Sequence, residues 1–593
     1  MGFQVSPGVR VVERDLSSII PAVATTPAGY VGIFNWGPAN QRIIFSSEND
    51  LYQLYGGPDN NTYKHFFTVA NFLQYGNNVQ VVRYLDANTT ARNAVAGYTG
   101  TVAPALIENR DRYDYTYADG GAGVTAFWAA KYAGLKGNSL RIECCDSATA
   151  FSSWSLSANF QGPPGTSLFM EDARGGTGFN DEIHIAVVDA NGAFSGITGS
   201  ILEVYDSLSK ASNARKSDGT SNYYKNVIND SSSYVYWLGH PTGVSTYTSE
   251  DNSFGLIAAT ASTPSISGVT SGLYIGIFSG GTMGNSLTAS NDMLGSAYSA
   301  FFSDSETVDV SLLLGGPLTG SGAAAVCEVA RTRQDCVAFV SVDNDISIAG
   351  GTGSVAERNT IAINRCIGMK NAIGSNSYAF IDSGYKQMYD RYNDVSRFVP
   401  LNGDVAGLVV RTDQIAEPWY SPAGFNRGNI KGVQKLAWNP NQTARDYIYP
   451  KGINPVVTIS GEGTLLYGDR TAQTKPSAFD RINVRRLFIV LEKAIAIAAK
   501  YSLFELNDPF TRSMFLSMIE PFLRDVQARR GIYDYKAICD ETNNTPEVID
   551  GNRFVADIYI QPARSINFIQ LNFIATRTGV NFEEIASLNR PGF

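Results

Sequence analysis

The sequence is poor in the residues that most often carry chemistry. Its 593 residues include six cysteines and three histidines. Cys144 and Cys145 are adjacent, and the other four are scattered, so there is no CxxC pair and no Cys/His spacing typical of zinc. Six cysteines are too few to form a disulfide scaffold of this size, and we expect all of them to be reduced and buried.

Long apolar runs and strong positive charge are also lacking. No uninterrupted apolar run reaches the roughly 18 residues that a membrane span needs, and the N-terminus has no apolar core typical of a secretory signal. The net charge is −9, so no basic field favours nucleic acid. We therefore expect a protein made in a cytoplasm, with no membrane insertion, no direct nucleic-acid contact and no cofactor.

Enzyme motifs are sparse. His65, His184 and His240 are far apart in sequence, and no GxSxG or Walker A pattern occurs. Residues 309–381 contain no histidine, so a serine triad there would lack its base. Gly351–Ala356 fits GxGxxA and Asp382 follows a later strand, but seven residues separate Gly351 from the preceding strand. A loop with Ser354 as N-cap is the simpler interpretation; an α/β hydrolase or nucleotide-binding enzyme remains the alternative.

Length and patterning predict several domains. Strands and helices alternate near Ala28–Leu85 and Asp309–Ile381, which predicts a partly parallel α/β sheet. Residues 91–281 are rich in Gly, Ser, Thr and Asn, with strand patterns at 140–144, 184–188 and 234–238. Residues 401–410 and 418–432 are expected to bridge to the last domain.

The C-terminal part holds the clearest patterns. Apolar residues from Leu487 to Tyr501 recur at helical spacing, with Ser477 or Asn483 as a possible cap, and a second helix is expected near 511–527. Two alternating strands follow. The first places Phe554, Ala556, Ile558 and Ile560 on one side; the second places Ile569, Leu571, Phe573 and Ala575 on one side.

Several segments together resemble the contractile phage tail sheath proteins. They are YGDRT (467–471), NVRRLFIVLEKAI (483–495), FELND (504–508), FLRDV (522–526) and the stretch 554–576, with SPGVRVVERD (6–15), AKYAGLKGNSLRIE (130–143) and EPWYSPAGFNRG (417–428). Their order along the chain carries the resemblance, which is weakest over 91–281.

The resemblance implies a multidomain α/β and α+β protein. The expected parts are an extended arm (1–25), a discontinuous subtilisin-like α/β core (26–90 and 282–460), a β-rich outer insertion (91–281) and a C-terminal α+β domain with its own arm (461–593). The implied function is that of a non-enzymatic virion subunit. It polymerises helically around a tail tube, in hexameric rings, and contracts to drive the tube through the host envelope.

The implied partners are further copies of the chain, the tube protein, and baseplate and tail terminator proteins. A phage-derived injection particle and a non-contractile coat or surface lattice are alternatives. We expect strand exchange to join Val9, Val11 and Val12 to a sheet with Ile558, Ile560, Ile569, Leu571 and Phe573 of neighbouring copies. Arg524, Arg529 and Arg530 are candidate contacts to an acidic tube, although cations also suit a helix C-terminus.

Overall fold

The computed structural model describes residues 24–85, 90–97, 105–118, 126–174, 180–239, 272–284 and 291–567. Its elements are numbered in chain order. The largest sheet in these residues has seven strands: β1 (Ala28–Gly32), β2 (Arg42–Phe45), β3 (Val79–Arg83), β11 (Leu312–Leu314), β12 (Val337–Ser341), β13 (Ala379–Asp382) and β17 (Ile453–Asn454). They lie in the order β17-β13-β12-β11-β1-β3-β2.

All neighbouring strands of this sheet are parallel except β2, which runs antiparallel to β3. The central strands are buried, as expected of parallel strands covered on both faces. Helices connect them: α1 (Glu48–Tyr55), α2 (Tyr63–Leu73), α7 (Asn291–Phe302), α8 (Gly320–Arg333), α9 (Ile346–Ala349), α10 (Val355–Ile373), α11 (Asn402–Ile415) and α12 (Gln442–Ile448). The predicted mixed, partly parallel α/β sheet is confirmed.

Helix α11 corrects one expectation. Residues 401–410 were expected to bridge two domains, but α11 buries nine consecutive residues from Asn402 to Val410 and belongs to the main apolar core. Gly403 allows α11 to pack closely against α2. An added Cβ at Gly403 would lie 2.2 Å from the carbonyl oxygen of Thr68 in α2, so the two helices pack backbone to backbone.

Residues 91–281 form two further antiparallel sheets within the described segments. One has the order β10-β6-β7-β8 and the other β4-β5-β9. The strands are β4 (Asn93–Ala96), β5 (Trp128–Ala133), β6 (Leu140–Cys145), β7 (Glu182–Asp189), β8 (Ser200–Ser209), β9 (Val235–Trp237) and β10 (Leu273–Ile277). The predicted strands at 140–144, 184–188 and 234–238 are confirmed.

This region also contains helices that composition did not predict: α3 (Arg110–Thr116), α4 (Ala148–Phe151), α5 (Leu168–Arg174) and α6 (Tyr224–Ser231). Two small sheets border the core. One pairs β14 (Tyr385–Asp390) with β15 (Val395–Pro400) and β16 (Lys435–Leu436); the other pairs β18 (Val456–Ile459) with β19 (Gly463–Leu466). The boundaries proposed for the domains stay a prediction.

The C-terminal part contains α13 (Ile482–Lys500), α14 (Pro509–Ala528), β20 (Ile532–Ile538), α15 (Pro546–Asp550) and β21 (Asp557–Pro562). Both long helices are confirmed, but the predicted cap of the first is wrong. Arg481 is the N-cap of α13, and Ser477 instead caps the short turn Ala478–Asp480. Arg481 makes no side-chain capping bond; the Ile482 amide at the start of the helix instead donates to the Asp469 carbonyl oxygen at 2.9 Å.

The cysteines agree with the expectation from the sequence. All six cysteines are reduced and buried, and burial raises the pKa of the Cys327, Cys336 and Cys366 thiols to about 12. Within the described segments, no helix is long and apolar enough to cross a membrane.

Candidate assembly surface

A β-hairpin ends the described part of the chain. Strands β20 and β21 pair antiparallel, with Tyr535 opposite Ile560 and Ala537 opposite Ile558. As predicted, Phe554, Ala556, Ile558 and Ile560 share one side: they pack against an apolar cluster built mainly by α13 and α14. Tyr533 and Tyr559 are largely exposed.

Part of the apolar cluster under the β20–β21 hairpin stays exposed. Among the described residues β20 and β21 pair only with each other. Ile495 of α13 and Leu516 and Phe522 of α14 are only partly buried. The cluster therefore keeps partly exposed apolar surface on both helices, next to a sheet of only two strands.

The first described residues are held to α13 by a buried ion pair. Both guanidinium Nη atoms of Arg486 lie 2.6 Å from the carboxylate of Asp413 in α11. The Thr25 hydroxyl donates to the same carboxylate at 2.7 Å, and Ser311 Oγ donates to the carbonyl oxygen of Ala24 at 3.1 Å. The chain thus enters the described fold beside the second turn of α13.

The last described residues are held at the start of the same helix. Asp469 Oδ1 accepts from Arg481 Nη1 at 2.8 Å, from Asn567 Nδ2 at 3.0 Å and from the Tyr449 hydroxyl at 3.1 Å. Its Oδ2 accepts from Ser565 Oγ at 2.7 Å and Ser421 Oγ at 3.2 Å.

Asp469 is buried, with only 3% of the residue exposed. Burial opposes its ionisation, but the hydrogen bonds from Asn567 and Ser565 and the charge of Arg481 outweigh burial and hold its pKa below the usual value.

A groove of about 1310 Å³ opens beside Asp469. Its walls come from the loop after α11, from α12, from the end of α14 and from residues 563–567. Phe425, Tyr467 and Tyr533 line it and are all exposed. The groove places exposed aromatic surface where the described chain ends.

The three candidate arginines are all exposed at the end of α14. Arg529 is already engaged within the chain: it contacts Glu417 at 3.0 Å and Asp525 at 3.1 Å. Arg530 lies in the left-handed region, with φ of 67°, and lines the groove. By contrast Arg485 is buried, and its guanidinium stacks 3.8 Å from the centre of the Phe479 ring, so its role is structural.

Not every predicted residue lies in the described part of the chain. Val9, Val11, Val12, Ile569, Leu571 and Phe573 fall outside it, as does His240. The residues that sequence reasoning missed are Asp413, Asp469 and Arg481. The signal available for two of them was position, since Asp469 lies in YGDRT and Arg481 lies two residues before NVRRLFIVLEKAI.

The residues considered for enzyme chemistry have structural partners. His65 is buried, its Nδ1 lies 2.7 Å from the Tyr30 hydroxyl, and burial lowers its pKa to about 3. His184 lies in β7, where its Nδ1 accepts from the Ser207 amide at 3.0 Å. In the described part of the chain, no group of three His, Cys, Asp or Glu side chains could hold a metal ion.

The GxGxxA segment caps a helix. Ser354 is the N-cap of α10, and Glu357 completes a reciprocal capping box by accepting from the Ser354 amide at 2.6 Å. A carboxylate therefore lies at the helix N-terminus where a phosphate would have to bind. Asp382 is buried and accepts from Ser341 Oγ at 2.8 Å, so it is not displayed for a ribose.

Comparison with known proteins gives the same family along the chain. Residues 474–576 match the family model described as phage tail sheath C-terminal domain. A tail sheath protein of Vibrio phage KVP40 is 35% identical over 98% of this chain and 99% of its own length. That of Enterobacteria phage T4 is 33% identical over 98% and 99%.

Among solved structures, the contracted helical sheath of the anti-feeding prophage covers 97% of this chain and 100% of its own, with 12% identity and a TM-score of 0.49. The sheath tail protein of Listeria innocua covers 91% and 96%, with 12% identity and a TM-score of 0.48. On the strength of the full-length sequence identity, the chain belongs to the phage tail sheath protein family.

Proposed function

We propose that this protein is the contractile sheath subunit of a phage tail: it polymerises helically around the tail tube and contracts to drive the tube through the host envelope. The observation that carries the proposal is identity of 33–35% to tail sheath proteins over nearly the whole chain. The attachment of the first and the last described residues near the start of α13 supports it.

A subunit of this kind must polymerise without closing, which requires heterologous interfaces. It must also stay linked while its neighbours move. Strand addition meets both needs, because main-chain hydrogen bonds are strong and the connecting chain acts as a hinge. We propose that Val9, Val11 and Val12 of one copy, and Ile569, Leu571 and Phe573 of another, extend the β20–β21 hairpin, whose two outer edges have no strand partner in the described residues.

In this arrangement Ile558 and Ile560 would hold the hairpin on α13 and α14 while donated strands cover the half-buried margin of the same apolar cluster. Each added strand would widen the sheet by about 5 Å. The energy for contraction would be stored during assembly, as a kinetically trapped extended polymer that relaxes to a contracted one. No nucleotide hydrolysis is required.

The finer architecture belongs to the same proposal. We propose that the layer on the seven-stranded sheet is the subtilisin-like core (26–90 and 282–460), with 91–281 inserted on the outside and 461–593 facing the tube. The mostly parallel order of the large sheet and the separate antiparallel sheets of 91–281 support this division. The partners would be further copies of the chain in hexameric rings, the tube, and baseplate and terminator proteins of the virion tail, with assembly in the host cytoplasm.

The test is deletion of residues 2–15. We expect the deleted protein to be folded, with an unchanged circular dichroism spectrum, but unable to form tubes visible by electron microscopy, since the donated strand is gone. A matched control replaces Arg10 and Arg14 with Gln and keeps the three valines; it should still polymerise. Normal tubes from the deletion would contradict strand exchange.

A further inference from the structure

One buried carboxylate binds the end of the described chain. Beyond β21 there is no further strand in the described residues, and the segment 563–567 is free of regular structure. Yet Ser565 and Asn567 both donate to Asp469, at 2.7 and 3.0 Å. Ile566 between them is 81% exposed. Alternate residues therefore face the carboxylate and the solvent, which is the geometry of an extended segment.

Asp469 is mounted on a rigid turn. The Asn454 side chain brackets the next residue, accepting from the Arg470 amide at 2.7 Å and donating to its carbonyl oxygen at 2.7 Å. The Ile482 amide at the start of α13 donates to the Asp469 carbonyl oxygen at 2.9 Å. At Gly468 an added Cβ would lie 2.8 Å from Asn454 Oδ1, so this turn admits little adjustment.

Two groups of side chains bind Asp469, one from the body of the protein and one from the terminal segment. Arg481, Tyr449 and Ser421 bind Asp469 from within the body of the protein. Ser565 and Asn567 add two hydrogen bonds to an ionised acceptor, which are roughly twice as strong as bonds between neutral groups. The carboxylate is thus satisfied in part without the terminal segment, and fully satisfied only with it.

We propose that Asp469 is a positioning residue for assembly: it sets the direction in which the chain leaves the protomer after β21, and so where the C-terminal segment can meet a neighbouring copy. The inference rests on the proposed strand exchange. A segment free to leave in any direction would lose conformational entropy each time a neighbour captured it, whereas a segment aligned beforehand loses less. Asp469 therefore favours polymerisation without itself touching the neighbour.

The experiment compares two variants that remove hydrogen bonds from the same carboxylate. The double variant Ser565→Ala with Asn567→Ala removes the two from the terminal segment; Ser421→Ala removes one from the body and is the matched control. Hydrogen–deuterium exchange is measured on the unpolymerised protomer for peptides covering 557–567. The Ala563 amide donates to the Gly531 carbonyl oxygen at 3.1 Å and reports on release of the segment. We expect its exchange to be about tenfold faster in the double variant and unchanged in the control, because only the double variant releases the segment locally.

Tube formation by the same proteins is then followed by light scattering and electron microscopy. The double variant should need about tenfold more protein to polymerise, which corresponds to a loss of about 1.4 kcal/mol in the free energy of assembly. Asp469→Asn should behave like the double variant. If it fails to fold, the double variant, which keeps the Asp469–Arg481 pair, decides alone.

Equal exchange and equal polymerisation in the double variant and in Ser421→Ala would overturn the proposal. That failure is distinguishable from failure of strand exchange. Hydrogen–deuterium exchange of the protomer reports only on the bonds between Asp469 and the terminal segment, whereas deletion of residues 2–15 reports on the donated strand.

Discussion

Single buried side chains set the pH response of the core. His65 in α2 lies wholly inside it, and burial lowers the pKa of its imidazole to about 3. The unfolded chain would bind a proton there near pH 6.5, whereas the folded chain would not. The folded state is therefore favoured above about pH 6.5, and that stability is lost as pH falls toward 3.

Asn in place of His65 keeps an acceptor near the Tyr30 hydroxyl but does not titrate. We predict that His65→Asn has a lower free energy of unfolding than the unsubstituted protein at pH 7.5, and that this difference becomes smaller as pH falls. Between pH 7.5 and 5 the difference should shrink by about 2 kcal/mol, at roughly 1.4 kcal/mol per pH unit below 6.5. Urea unfolding at several pH values measures it. Tyr30→Phe keeps the imidazole and should show no such trend; a pH-independent deficit in His65→Asn would refute the assignment.

At the scale of elements, α11 and α13 are joined by the Arg486–Asp413 pair. Both side chains are about 5% exposed, so removing one partner leaves a buried charge uncompensated. We predict that Arg486→Met destabilises the protein by about 3 kcal/mol. The double variant with Asp413→Leu should recover much of that loss, because two apolar side chains can replace a buried pair.

A double-mutant cycle by urea unfolding measures the coupling between the two residues. Additive effects of the single substitutions would show that the pair does not link the helices. Arg331, which contacts Glu328 on the surface of α8, provides a control: Arg331→Met should leave the free energy of unfolding nearly unchanged, as expected of an exposed pair.

The elements themselves were largely predictable, and their partners were not. The periodicity of Leu487–Tyr501 placed α13 to within a few residues, and alternation placed Ile558 and Ile560 on one face. Asp413 and Arg486 are 73 residues apart, and no local pattern joins them. Pairing over that distance is decided by how α11 packs on the sheet, as is the burial of α11 itself.

Neither composition nor periodicity predicted helices α3 and α6 in residues 91–281, because Gly- and Asn-rich turns surround these short helices. The resemblance to sheath proteins identified the family, which periodicity could not do. The family assignment rested on the order of motifs, and it is confirmed by identity along the whole chain. The terminal arms, the contact to the tube and the domain boundaries stay predictions.

At the scale of the whole molecule, the exposed Arg524 and Arg530 are the candidates for binding an acidic tube. We predict that Arg524→Glu weakens sheath assembly on purified tubes about tenfold at low salt, since it turns an attraction into a repulsion. The difference from the unsubstituted protein should shrink as ionic strength approaches 1 M, where the Debye length falls to about 3 Å. Co-sedimentation with tubes measures it.

Arg331→Glu carries the same charge change on α8 and should leave tube binding unchanged. Arg529 is a poor probe, because it is already paired with Glu417 and Asp525. Equal binding by Arg524→Glu and Arg331→Glu at every salt concentration would remove Arg524 from the tube contact.

The two anchor points at the start of α13 have a mechanical consequence. If neighbours are joined through the terminal segments, tension enters a protomer near Thr25 and leaves near Asn567. Arg486 and Arg481, which hold those points, are five residues apart, only about 8 Å along the helix. The shortest load path between the two points therefore runs along one turn and a half of α13. Because Thr25 is also bonded to Asp413 in α11 and lies three residues before β1, the remainder of the pull is shared with the core instead of falling on one contact.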